Sequence, residues 1–253
     1  MKVEFDIEPH LFEALVETSL GRSDDPMKPK FYFGREGVTV NAISIGMTMA
    51  FRGEYRKPWF AKYEVEEEGE IMLPSVIRQL VPNLKRAEVL HVSVNEGEIN
   101  VNADNRKLSL KLPELEDTKE FPFSEYDSFF ALPEKEMERA SIISMGLDNW
   151  ESMPGKGKLY KVRIEEGVFV EVEDDSGMWK FVKKVSAANI QQHNREVLVP
   201  AKQVDYVMDT MRLLPSKEVV IFVSDVLFGV SSRDAKNEVY RAGYIFTNVD
   251  RGA

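Results

Sequence analysis

Apolar and polar residues alternate along most of this chain, and the alternation is interrupted by a few stretches of helical period. Val3-Glu4-Phe5-Asp6-Ile7 alternates and predicts a strand. Pro9 then opens a helix whose Leu11, Phe12, Leu15, Val16 and Leu20 form one apolar stripe. Strands are expected at Phe31–Phe33, Val38–Ser44, Met47–Arg52 and Lys62–Val65, the last followed by an acidic turn, Glu66-Glu67-Glu68-Gly69. Pro74 opens a second helix with Val76, Ile77, Leu80, Val81 and Leu84 inward, which Pro82 should end or kink. Val89–Val94, Ile99–Val101 and Leu108–Leu112 close the first half as strands.

Pro113 to Ser128 breaks the pattern with two prolines, six acidic residues and the aromatics Phe121, Phe123 and Tyr126, and reads as an extended connector. The second half repeats the first. A strand is expected at Phe129–Leu132 and a helix at Pro133–Met145. Further strands are expected at Tyr160–Ile164, Val168–Glu173 and Trp179–Val185. A last helix from Pro200 buries Val204, Val207, Met208, Met211 and Leu214, ahead of strands at Val219–Val223, Leu227–Val230 and Val239–Thr247.

Local strings support a duplication. Glu70-Ile71-Met72-Leu73-Pro74 matches Glu196-Val197-Leu198-Val199-Pro200, with the prolines 126 residues apart. Glu36-Gly37-Val38-Thr39-Val40 matches Glu166-Gly167-Val168-Phe169-Val170, with the glycines 130 apart. A looser pair, Pro9 with Pro133, is offset by 124. Nearly equal offsets imply two copies of one domain. The expected division is 1–112, a connector at 113–128, and 129–253.

Composition narrows the class. A chain of 253 residues suffices for two domains of about 125. No apolar run approaches the ~18–20 residues of a membrane span, and the alternating N-terminus lacks a signal-peptide block. Cysteine is absent, which excludes disulfides, thiolate metal sites and cysteine nucleophiles. The net charge of -10 argues against a binder that is basic all over and leaves room for one whose cations share a single face. His10, His91 and His193 have no partner at metal-ligand spacing. The carboxylate clusters Glu66–Glu68 and Asp174-Asp175 sit in expected turns, and Gly155-Lys156-Gly157-Lys158 lacks the context of a phosphate loop. The chain is read as a non-enzyme that needs no cofactor or metal.

The order of elements resembles the DNA sliding clamps of the proliferating cell nuclear antigen (PCNA) type. The strings that carry the likeness are Arg35-Glu36-Gly37-Val38-Thr39-Val40-Asn41-Ala42, Leu73-Pro74-Ser75-Val76-Ile77-Arg78-Gln79-Leu80, Lys107-Leu108-Ser109-Leu110-Lys111-Leu112-Pro113 and Gly243-Tyr244-Ile245-Phe246-Thr247. The resemblance implies an α+β DNA-clamp fold of two similar domains, each with two helices packed on antiparallel sheets. It also implies a homotrimeric ring around duplex DNA, with the helices lining the hole. Such a ring tethers a polymerase and other replication or repair proteins, with or without a clamp loader. The cytoplasm is the expected location, or the nucleus in a eukaryote.

The lining, the partner pocket and the subunit interface then acquire candidate residues. Helix-face cations Arg78, Lys85, Arg86, Arg139, Lys202, Arg212 and Lys217 are the DNA-contact candidates. They are offset by Glu13, Glu17, Asp205 and Asp209, a weakly basic set. The resemblance places a partner-peptide pocket at Ile43, Ile45, Met47, Phe121, Phe123, Tyr126, Ile245, Phe246 and Val249, although Ile43-Ser44 and Thr247-Asn248 depart from the family's usual pairs. It places subunit contacts on the edges Arg106–Leu112 and Met178–Ser186, through Leu108, Leu110, Trp179 and Phe181. The weak helix charge keeps two alternatives open: a clamp-like monomeric or dimeric processivity factor, and an adaptor or decoy that binds replication proteins without encircling DNA.

Overall fold

The structure is a computed structural model. It describes residues 1–113, 140–151, 159–173, 178, 180–187, 189–191, 195–213 and 216–246, except Ser23, Met47, Glu96 and Asn237. The chain divides into two compact units. The first comprises 1–46, 50–123 and 233–241, and the second comprises 47–49, 124–232 and 242–253.

In the first unit the strands are β1 (Lys2–Ile7), β2 (Met27–Gly34), β3 (Gly37–Ser44), β4 (Met49–Arg56), β5 (Lys62–Glu67), β6 (Gly69–Met72), β7 (Leu90–Asn95), β8 (Glu98–Ala103) and β9 (Arg106–Lys111). They form an antiparallel sheet of order β5-β1-β7-β8-β9 and a second of order β4-β3-β2-β6. Strand alternation decides which faces meet. Val3, Phe5 and Ile7 of β1 point inward together with Phe31 and Phe33 of β2. The Phe5 ring lies 6.1 Å from Phe33 and 5.2 Å from Phe60, so aromatic packing joins the sheets.

Helix α1 (Pro9–Glu17) starts on proline, whose missing N–H costs nothing at that position, and buries Phe12, Leu15 and Val16. Helix α2 (Ile77–Leu80) lasts barely one turn. Pro82 converts the chain to a 3-10 turn at Val81–Leu84, as its lost N–H requires. Ile77, Val81 and Leu84 are buried as expected, but Val76 is 42% exposed. That residue precedes the helix, so the helical stripe does not include it. The expected turn at Glu66–Gly69 is corrected as well: Glu66 and Glu67 continue β5, and Gly69 begins β6.

The second unit contains β10 (Ser141–Gly146), β11 (Leu159–Ile164), β12 (Val168–Glu173), β13 (Lys180–Val185), β14 (Asn189–Gln191), β15 (Arg195–Pro200), α3 (Ala201–Met211), β16 (Glu218–Val223) and most of β17 (Leu227–Asp234) and β18 (Val239–Phe246), whose residues 233–234 and 239–241 fall in the first unit. Its sheets run β14-β10-β16-β17-β18 and β13-β12-β11-β15. Strand for strand this is the order of the first unit: β10 takes the place of β1, β13 that of β4 and β18 that of β9, with α3 in the place of α2. Buried on α3 are Val204, Val207, Met208 and Met211.

The helix expected over Pro133–Met145 is overturned from residue 141 onward, where Ser141-Ile142-Ile143-Ser144-Met145 belongs to β10. Burial there alternates with a period of two, and two adjacent isoleucines favour a strand. Residues 133–139 lie outside the described residues. Pro133, expected to match Pro9, is among them. By strand order the place of α1 in the second unit falls between β10 and β11, and the described residues there include a 3-10 turn, Leu147–Asn149. The other two string matches fall on equivalent elements: one spans the starts of β3 and β12, and the other runs from β6 and β15 toward α2 and α3. No described helix is long and apolar enough to cross a membrane.

Candidate assembly and nucleic-acid interfaces

The helix faces carry closed ion pairs. In the first unit, Arg78 Nε donates to Glu17 Oε2 at 2.8 Å, and a second nitrogen of its guanidinium reaches the Gly21 carbonyl. Lys85 Nζ lies 2.7 Å from Glu13 Oε1. Glu13 and Glu17 are one turn apart on α1, so both face the α2 segment. In the second unit Arg212 pairs with Asp209, three residues before it, and donates to the Trp150 carbonyl at 2.6 Å. Asp205 accepts the Tyr160 hydroxyl at 2.9 Å. Arg86 and Lys217 are exposed and have no carboxylate partner among the described residues. Lys202 is exposed at the start of α3. Arg139 lies outside the described residues.

These pairs cancel charge where the resemblance expects a positive lining. An ion pair held at 2.8 Å presents a dipole to a phosphate, and breaking it offsets the gain from the new contact. The acidic partners were visible in sequence. Their pairing across two helices was not, because Glu13 and Lys85 are far apart in the chain.

The expected pocket residues separate by burial. Ile43 is a core residue of β3, and Ile245 is a core residue of β18. Ile45 is 58% exposed just past β3, where its N–H donates to Pro26 O at 3.2 Å. Phe246 is half-buried, with its N–H on Thr48 O at 2.9 Å. Met47, Phe121, Phe123, Tyr126 and Val249 lie outside the described residues. Ile45 is therefore the described aliphatic residue of this set that is open to a partner.

Both expected interface strands are edges of their sheets. β9 is bonded only to β8, and β13 only to β12, among the described residues. Leu108 and Leu110 are half-buried on β9, and Phe181 and Val182 are exposed on β13. Met178, just before β13, is 85% exposed. Trp179 lies outside the described residues. Free N–H and C=O groups flanked by apolar side chains make a template for strand addition.

Behind β13 stands a cluster the sequence did not signal. Glu171 on β12 is buried and accepts from Arg163 Nε at 2.8 Å and from Lys180 Nζ at 2.5 Å. The Lys180 hydrogen bond holds its carboxyl below the ordinary range against the opposing effect of burial, and Arg163 acts in the same sense as Lys180. Arg163 and Lys184 also lie over the Phe169 ring, 5.4 and 5.7 Å from its centroid. No group of three or more metal-ligating side chains occurs among the described residues.

Two units of one topology, each an α+β sandwich of antiparallel sheets with a free edge strand, define a DNA-clamp fold. Three solved sliding-clamp structures match it over nearly the whole chain. They are the PCNA2–PCNA3 complex of Sulfolobus tokodaii (TM-score 0.73, 15% identity, 98% of this chain and 99% of that one), A. fulgidus PCNA bound to the C-terminal region of FEN-1 (0.76, 11%, 99% and 100%), and PCNA of Entamoeba histolytica (0.75, 13%, 97% and 98%). No protein-family model matches the sequence, and no curated protein does. The chain has the PCNA fold at a large sequence distance.

Proposed function

We propose that this protein is a subunit of a DNA sliding clamp: it joins a ring around duplex DNA and tethers a polymerase and other replication or repair proteins. The observation that carries the reading is the clamp fold over nearly the whole chain, together with a free edge strand in each unit, β9 and β13, that is open to pairing with a neighbour. A closed ring holds DNA by topology, so it needs no base contacts and little intrinsic affinity. The ion-paired helix faces suit such a part. The similar A. fulgidus clamp is bound to the C-terminal region of FEN-1, which supports peptide docking here, with Ile45 as an apolar contact. The proposed mechanism involves no chemistry on the DNA and no cofactor. Its place is with the replication machinery, in the cytoplasm or nucleus.

The closed pairs Arg78–Glu17 and Lys85–Glu13 favour one second reading, an adaptor that binds replication proteins without encircling DNA. Primer extension on a circular primed template separates the two. Longer products on adding the chain, with its loader and any partner subunit, support the clamp. Unchanged product length under all those conditions sinks it.

A further inference from the structure

The two edge strands carry the same sign of charge. β9 reads Arg106-Lys107-Leu108-Ser109-Leu110-Lys111, and β13 reads Lys180-Phe181-Val182-Lys183-Lys184-Val185. Each contains three cations and no carboxylate. In a ring of identical copies of the kind the resemblance implies, β9 of one copy would meet β13 of the next. Six cations then enter one two-stranded seam with no acid in either strand. Like charges facing each other across paired strands are destabilising, and side chains in a dry seam are screened less than exposed ones.

Compensation from behind the strands is partial. On β13, Lys180 reaches Glu171 and Lys183 reaches Glu151 at 2.6 Å, while Lys184 lies over the Phe169 ring. On β9, Lys111 stands opposite Glu98 in the register, whereas Lys107 stands opposite Asn102. Neither Lys107 nor Lys184 has a carboxylate partner among the described residues.

The first unit does own an acidic edge, β5, but its carboxylates are engaged locally. Glu64 pairs with Lys62 at 2.9 Å, Glu66 with Lys2 at 2.8 Å, and Glu67 with the N-terminal amine at 3.0 Å. β5 is therefore a poor acceptor for a second copy of this chain.

Resting on the clamp reading, we propose that β9 and β13 each take as their partner an edge strand of a different clamp-fold chain. That strand is apolar in the middle and carries Asp or Glu at its exposed positions. The ring this chain enters is then built from unlike subunits. Leu108 and Leu110 on one edge, and Phe181 and Val182 on the other, supply the apolar part of the seam. The cations select against self-pairing and for an acidic strand.

The test is sedimentation and native mass measurement of the full chain across a range of salt, beside two charge reversals. One is Lys107→Glu/Lys111→Glu on β9, and the other is Lys184→Glu on β13. Each reversal places acid on one edge and leaves the other basic, so each variant becomes complementary to itself. The expected result is a wild-type chain that stays monomeric at micromolar concentration. Each variant associates at least tenfold more tightly, and salt weakens that association. All the substituted residues are exposed, and an unchanged thermal midpoint identifies a folded variant.

A wild-type trimer that neither variant strengthens overturns the proposal and leaves the clamp reading intact. So does wild-type self-association that weakens with salt, which would mean that a complementary edge such as β5 is in use. Folded variants that gain nothing also overturn it. Failure of the clamp reading shows separately, as unchanged product length in the extension assay when a second clamp subunit is supplied.

Discussion

Gly37 shows what one residue must do for the β2–β3 hairpin. It sits at φ +141°, and a Cβ there would lie 2.1 Å from the Tyr55 carbonyl oxygen. Gly37→Ala is expected to destabilise the fold by about 1–3 kcal/mol, read by urea denaturation, since both backbone strain and a clash with main chain are unavoidable. The need for glycine was legible in sequence because Glu36-Gly37-Val38 sits between two alternating runs. Glu171 was not legible. In a strand of alternating pattern it looks like an ordinary solvent-facing acid, and only the fold brings Arg163 and Lys180 onto it. Its carboxyl is held below the ordinary value of about 4.3, so its contribution to stability is present above that value and is lost as pH falls through the folded one. Glu171→Gln should therefore be less stable than wild type at pH 7, and the gap should close as denaturation is repeated below pH 4.

At the scale of elements, strands with clean alternation were readable nearly to their ends, as β1, β3 and β12 show. Two kinds of element were not. Short edge strands such as β6 and β14 have too few residues for a period to emerge. β10 was read as the end of a helix because Ala140, Ile143 and Ser144 also fit a helical stripe, and only pairing with β16 decides between the two periods. The α2 segment offers a direct comparison. Sequence periodicity turns Val76 and Ile77 inward alike, whereas the fold exposes one and buries the other completely. Val76→Lys is expected to change stability by no more than about 0.5 kcal/mol. Ile77→Ala should cost about 2–4 kcal/mol. Equal losses in paired denaturation curves would contradict that arrangement.

For the whole molecule, the candidate site was legible as charge composition and edge position, and illegible as pairing. The weak positive balance of the helices follows from counting residues. That Glu13 and Glu17 silence Lys85 and Arg78 follows only from the packing of α1 beside α2. If the helices face DNA as proposed, Glu13→Gln/Glu17→Gln releases two cations. Duplex binding should then strengthen, and the slope of log affinity against log salt should steepen by about 2. Fluorescence anisotropy with a labelled duplex across a salt series reads both, and an unchanged slope would place these helices away from the phosphates.

The composition of the first unit sets a timetable. Residues 233–241 belong to it, and the buried Arg241 donates an Nη2 hydrogen bond to the Ala14 carbonyl at 2.9 Å while its guanidinium lies over Phe51 and Tyr55. The two partners are 227 residues apart. At about 5–20 residues per second, a ribosome that has just made α1 needs roughly ten to forty-five seconds more to deliver the arginine. Through that interval the nascent amino-terminal half waits unfinished, with the site for its last piece open. The first unit is thus completed only after residue 241 has been made, and any factor that guards the emerging chain must hold it at least that long.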